Sequence, residues 1–288
     1  MPTPLARAQD FVWHSARLLD RQLFAYLYAD GSQAAVLQAL RAYQNPDGGF
    51  GNALEPDKRV PASQPVDIEM ALHILDIADG FADPLVGPVL DFLPTITTAA
   101  GGVPFALPSV LEYPRAPWWQ TAADPPASLN PTAAIVGLLL KHGIRHPWVE
   151  AAGAFCWSEI EQSASEQFHD LMPMLTFLEH AADRPRAQRE QERIGERILE
   201  RKLVAFGDEA GYVKGPLDWA PTPDSFCRQL FSTEQIDASL QQLLGRQQPD
   251  GGWPINWEPI SVAVACEWRG WVTIGALQTL QAYGVPVR

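Results

Sequence analysis

The side chains best suited to move a proton sit in two loops and at two helix starts. The first loop reads Glu55-Pro56-Asp57-Lys58-Arg59, and Asp67 and Glu69 follow at the opening of an apolar segment. Glu166, His169 and Asp170 open another such segment, and Glu258, Glu267 and Arg269 surround a third near the end of the chain. Carboxyls crowded into partly apolar surroundings hold their protons to higher pH and can act as general acids. The candidate catalytic residues are therefore Glu55, Asp57, Asp67, Glu69 and Glu258, with His169 beside Asp170 as a candidate base pair. Each has a plainer reading. Glu55 and Glu258 could hold their loops by accepting backbone N–H bonds. Asp67 and Glu69 would favour a helix N-terminus in any protein. A lone histidine on a mostly apolar helix is more often a packed residue than a base.

Aromatic side chains gather in the same stretches. Trp118, Trp119, Trp219, Trp257, Trp268, Trp271 and Tyr212 all fall in loops or just beyond them, among ten tryptophans in the chain. Their faces could stabilise a cation, pack a prenyl chain or stack on a sugar. With Arg59 and Arg269 they form the candidate ligand-binding set. Trp253 is read instead as a plug between structural units.

These residues are positioned by a repeated turn. Gln44–Pro56 reads Q-N-P-D-G-G-F-G-N-A-L-E-P, and Gln247–Pro259 reads Q-Q-P-D-G-G-W-P-I-N-W-E-P, identical at seven of thirteen positions. Proline stops the preceding helix, and glycine supplies the left-handed backbone that the turn needs. Weaker echoes occur at Ala99–Phe105 and at Glu209-Ala210-Gly211-Tyr212. Apolar periodicity predicts helices over 5–28, 33–44, 65–79, 84–97, 131–142, 146–162, 165–181, 186–206, 234–247 and 270–283. One-sided helices end at Gly-Gly turns, whereas helices apolar on most faces follow proline-rich loops and are expected to be buried. Residues 103–129 form a long loop, expected to be functional. Ile260–Cys266 is the one strand candidate.

The motif Q-x-P-D-G-G-[F/W] after an amphipathic helix resembles the repeat of the prenyltransferase and squalene-cyclase superfamily. That resemblance implies an all-α fold, an α/α toroid of inner and outer helices in a single domain, 1–288. It also implies a central cavity rimmed by the candidate residues, a small apolar or isoprenoid ligand, and acid-initiated cyclisation or prenyl transfer. The family's catalytic signatures are altered here. The run Val66–Leu72 stands where cyclases carry their acidic motif, with Ile68 in the place of the central aspartate. Asp224 and Cys227 imitate the start of a zinc set, but His180 is the last histidine. Paired D-D-x-x-D motifs for magnesium are lacking, so neither a metal nor another cofactor is expected. A non-catalytic binding or scaffold toroid and a carbohydrate-active toroid with paired carboxylates remain alternatives.

Bulk composition narrows the partners. Of 288 residues, 47% are hydrophobic and 19% charged, enough for a full core. A formal net charge of −13 disfavours nucleic acid. The longest apolar run, Ala133–Leu140, is too short for a transmembrane segment. Three scattered cysteines suit reduced thiols, so the expected location is cytoplasmic.

Overall fold

The computed structural model describes residues 2–207 and 212–288. The expected echo at Glu209, Ala210 and Gly211 lies outside the described residues. Among the described residues the regular structure is helical, with isolated bridges and no strand. In chain order the α-helices are α1 (Pro4–Ser15), α2 (Leu18–Tyr28), α3 (Gln33–Arg41), α4 (Pro65–Ile77), α5 (Val86–Phe92) and α6 (Leu129–Lys141). They continue with α7 (Pro147–Gln162), α8 (Phe168–His180), α9 (Arg184–Glu200), α10 (Pro216–Trp219), α11 (Thr233–Gly245) and α12 (Val262–Ala282). None is long and apolar enough to cross a membrane.

Several boundaries differ from the expected ones. The helix expected over 5–28 is two, because Ala16 and Arg17 are extended. The Arg17 guanidinium pairs with the buried Asp20 at 2.9 Å, and Arg21 Nε donates to the Ala16 carbonyl at 2.9 Å. Together they close one helix and open the next. The helix expected over 84–97 is α5 followed by a 3-10 turn, Leu93–Ile96, which contains Pro94. The strand candidate Ile260–Cys266 is instead largely the first turn of α12. Ser261 caps that helix by accepting the Val264 N–H at 3.2 Å, which overrides the β-branched pattern of Val262 and Val264.

The chain forms two compact units, residues 33–194 and residues 1–32 with 195–288, the division falling within α9. The 33–194 unit is built on α6, buried from Pro131 through Leu139 and packed against α4, α7 and α8. A β-carbon on Gly137 would sit 2.6 Å from the Thr176 carbonyl oxygen, so this glycine permits the close approach of α6 to α8. The other unit packs α1, α2 and α11 against α12. α9 buries Ala187, Gln191, Ile194 and Ile198 along one stripe and leaves its charged face to solvent, as its pattern predicts.

Three Gly-Gly turns share one hydrogen-bond scheme. In the first, Asn45 N–H donates to Gly49 O at 2.9 Å and Gly48 N–H to Asn45 O at 3.0 Å. The equivalents are Thr98 to Gly102 at 2.9 Å with Gly101 to Thr98 at 3.0 Å, and Gln248 to Gly252 at 2.9 Å with Gly251 to Gln248 at 2.9 Å. The first glycine is left-handed each time, with φ of 91°, 97° and 94°. The weak echo at Gly101-Gly102 is thus the same turn without its glutamine and aspartate. In the complete copies Gln44 and Gln247 each donate from Nε2 to the first glycine's carbonyl and to a neighbouring segment (Leu85 and Pro4).

Candidate functional site

The first complete turn delivers its acids into the interior of the 33–194 unit. After Phe50, Asn52 and Ala53 take left-handed backbone, φ 55° and 60°, and the chain turns inward. Leu54, Glu55, Asp57 and Lys58 are all buried, Lys58 completely at 0% and Glu55 at 5%. The buried Asp67, in the first turn of α4, closes the group. Its Oδ1 accepts the Glu55 backbone N–H at 2.7 Å, and its Oδ2 lies 2.9 Å from Lys58 Nζ. Glu55 Oε2 lies 3.4 Å from the same ammonium. Two carboxyl groups thus share one lysine.

The long loop forms the remaining wall. Lys58 and Arg115 are bridge partners; Arg59 N–H donates to Pro114 O at 2.9 Å, and Ala116 N–H to Asp57 O at 2.7 Å. Arg115 spends its guanidinium on loop carbonyls, those of Trp119 (2.9 Å), Leu111 (2.8 Å) and Tyr113 (3.2 Å). That clamp places the Trp119 ring 4.7 Å from Lys58 Nζ. Trp119 also stacks on Phe105, centroids 4.7 Å apart. Gln64 ties α4 to the same loop through Ser109 Oγ and the Leu107 N–H. The loop expected to be functional is therefore ordered by donors that its own sequence supplies.

The electrostatics follow from this enclosure. Burial is the main reason that the Glu55 carboxyl is pushed up to about 7. The Lys58 charge opposes that rise, and the Asp67 and Asp57 carboxylates add to it. Glu55 can hold a proton at neutral pH.

The other candidates are distributed differently. Glu69 lies one turn from His73 on the flank of α4, 3.8 Å away, outside the buried group. Arg59 is half-buried and reaches back to its own loop, to the Pro56 carbonyl. Trp118 is 46% exposed, whereas Trp119 is 3% exposed with its ring occupied by Phe105 and Lys58. Glu166 and His169 are exposed, and Asp170 accepts the Ser165 hydroxyl at 2.6 Å, a local bond at the entry to α8. These three are not part of the Glu55 group.

Seven candidates belong to the other unit. Glu258 is exposed. Trp219, on α10, is buried. Trp257 contacts Trp268 at 5.3 Å and Tyr212 at 6.0 Å, both edge to face, while Trp271 is half-buried farther along α12. Arg269 grips Asp250 through two bonds, 2.7 and 2.8 Å, and donates to the Trp253 carbonyl at 3.2 Å. Its guanidinium braces the second turn. A surface cleft of about 250 Å³ also lies in this unit, between Trp13 of α1 and Arg21, Gln22 and Ala25 of α2, and it contains none of the candidate acids.

Two residues at the centre of the buried group were not among the candidates, Lys58 and Arg115. Lys58 follows Glu55 by three residues, but an E-P-D-K run reads equally well as a solvated loop. Only its complete burial marks it.

Comparison with known proteins bears on the fold. No family model matches the chain, and no curated protein does. Among solved structures, a protein from Actinoplanes aligns over 97% of this chain and 98% of its own, with a TM-score of 0.60 and 16% identity. A type II terpene cyclase, an MstE variant from Scytonema in complex with geranylgeranyl dihydroxybenzoate, aligns over 96% of this chain and 88% of its own, with a TM-score of 0.51 and 14% identity. These likenesses show a shared fold, all-α and of the α/α-toroid kind anticipated from the Gly-Gly motif. They assign neither substrate nor activity.

Proposed function

We propose that the chain is a terpenoid-cyclase-like protein that takes an apolar isoprenoid ligand, and that Glu55 is the acid of a protonation-initiated cyclisation. The observation that carries this reading is a buried carboxyl, held near neutral pKa, in the loop that is bonded to the first turn of α4. The fold likeness to a type II terpene cyclase supports the ligand class, and that enzyme's prenylated aromatic acid is the natural first substrate to try. In the proposed step the Glu55 O–H bond breaks and a C–H bond forms at one end of an isoprenoid double bond. The carbocation left at the other end is attacked by a further double bond of the same chain. Proton loss from the cyclised cation to water ends the sequence, and Glu55 regains a proton from solvent, so the net change is an isomerisation. Trp118, with its exposed face, is proposed to line the path of the cation.

The test is binding followed by turnover. Geranylgeranyl diphosphate and geranylgeranyl dihydroxybenzoate should raise the melting temperature by at least about 2 °C, the order expected from ligand linkage. Mass spectrometry of the reaction extract should then show a cyclised isomer. Glu55→Gln should keep the thermal shift and lose product formation by about 100-fold or more. No shift and no product with either compound would overturn the reading.

A second reading, a binding toroid without chemistry, is favoured by one feature. Lys58, Glu55 and Asp67 interlock so completely that they could serve only to fasten the loop to α4. In that case the ligands shift the melting temperature and neither wild type nor Glu55→Gln forms product. Paired-carboxylate sugar chemistry is not favoured, because carboxyls that share one ammonium leave no room for a sugar ring between them.

A further inference from the structure

The buried group holds three carboxyls, Glu55, Asp57 and Asp67, against one ammonium. Three ionised carboxylates beside one lysine would leave two net negative charges in the interior, which costs several kcal/mol per uncompensated ion. At least one carboxyl must therefore carry a proton, and the arrangement distinguishes the two that contact Lys58. Lys58 Nζ is nearer Asp67, 2.9 Å, than Glu55, 3.4 Å. Asp67 accepts a backbone N–H as well, from Glu55 itself. An anion that sits 2.9 Å from an ammonium and also accepts an amide N–H is the better stabilised of the two, although the one hydrogen bond of that ammonium to a carboxyl goes to Glu55 Oε2. We propose that Lys58 is a positioning residue which, by pairing with Asp67, keeps that carboxylate ionised and leaves the proton on Glu55.

This assignment reverses the simplest expectation. Asp67 stands at the start of the inner helix, where a cyclase-like motif would put its acid, yet it serves as the fixed counter-ion while the loop glutamate is the protonated partner. Other charged groups stand around the buried three. On the loop itself, Asp57 adds negative charge and Arg59 turns to the Pro56 carbonyl. On α4, Glu69 lies beside His73. On the long loop, Arg115 is committed to carbonyls and contributes its clamp, which sets Trp119 over the ammonium and keeps water from Lys58. The burial that pushes the Glu55 carboxyl to about 7 is the consequence expected of this enclosure.

The proposal rests on the reading of Glu55 as the site's acid, but its test needs no ligand, so either can fail alone. Protein carrying carbon-13 in its aspartate and glutamate side-chain carboxyls is titrated by NMR between pH 4 and 9. Wild type should show one carboxyl titrating near neutrality, absent in Glu55→Gln. Asp67→Asn frees Lys58 for Glu55, and that titration should move down by at least one pH unit, a tenfold change in proton affinity. Lys58→Met should move it up by at least as much; the nearly isosteric Asp67→Asn keeps the test decisive if Lys58→Met does not fold. A purely structural lysine would change stability and leave the midpoint in place. An unmoved midpoint in Asp67→Asn, or a neutral-pH titration that survives in Glu55→Gln, would overturn the proposal.

Discussion

The two complete Gly-Gly turns carry the same bonds and send their glutamates to opposite environments. Gln44 and Gln247 make matching pairs of donor bonds, and Asp47 and Asp250 each accept the second glycine's N–H, at 2.9 and 3.1 Å. Phe50 and Trp253 are both buried. After the aromatic the copies part. Gly51-Asn52-Ala53 turns the first chain inward through two left-handed residues, and Glu55 ends beside Lys58. The second copy has Pro254 in the place of Gly51; Asn256 bonds to Val213 O at 3.3 Å, and Glu258 reaches solvent. The aspartates diverge too: Asp47 bonds to the Ser63 hydroxyl at 2.7 Å, Asp250 to the Arg269 guanidinium. The shared half of the motif makes a fold, and the unshared half decides whether an acid is enclosed.

The largest test of the shared half lies in its first glycine. In Gly251→Ala the new β-carbon would lie 2.0 Å from the Arg7 carbonyl oxygen, with the backbone at φ 94°. Loss of about 4 kcal/mol or of folding altogether is expected by urea denaturation. Gly101→Ala, in the incomplete copy, meets nothing nearer than 3.5 Å and should cost only the left-handed penalty, about 1–2 kcal/mol. Equal costs at the two sites would remove the idea that the complete motif marks the tighter junction.

Next in size is the pH dependence that the first glutamate brings. Its carboxyl is raised from 4.5 in the unfolded chain to about 7. Below pH 4.5 it is protonated in both states and costs nothing. As pH climbs through 7 that advantage is lost, because the unfolded chain ionises first, and the loss amounts to about 3 kcal/mol. Unfolding curves from pH 4.5 to 8 should show this decline in wild type and a flatter profile in Glu55→Gln. An unchanged profile would mean that the enclosure of Glu55 has no energetic consequence.

A smaller effect is expected at the second aromatic. The Trp253 indole donates to Leu243 O at 2.7 Å, a bond that phenylalanine cannot make. Trp253→Phe should cost about 1–2 kcal/mol, from the orphaned carbonyl and the lost ring volume. Smallest of all, Glu258→Gln should leave stability at pH 7 within about 0.5 kcal/mol, as for other exposed positions. A larger loss would show that the second glutamate is engaged after all, and the contrast between the copies would narrow.

Much of the fold was legible because it depends on local chemistry. Proline and glycine punctuate the helices, and the all-apolar run at Ala133–Leu140 announced the buried core of α6. The departures were local contests settled by polar side chains close by in the chain. Arg17 and Arg21 divide a helix whose periodicity runs on unbroken, and Ser261 converts a strand-like valine pattern into a helix start. At the candidate site, Glu55, Asp57, Asp67 and Trp119 could be singled out by type and position, whereas Lys58 and Arg115 could not. A lysine in a polar loop looks solvated until the chain 57 residues later folds over it.

The amino-acid sequence alone determined the Gly-Gly turns, the alternation of one-sided and all-apolar helices, and through them the all-α fold, because each follows from short-range backbone preference and side-chain periodicity. Only the tertiary structure decided that Glu55 and Glu258, equal in the motif, are unequal in environment. Proton affinity depends on solvent access and on charges brought together from remote parts of the chain, and no local pattern encodes either.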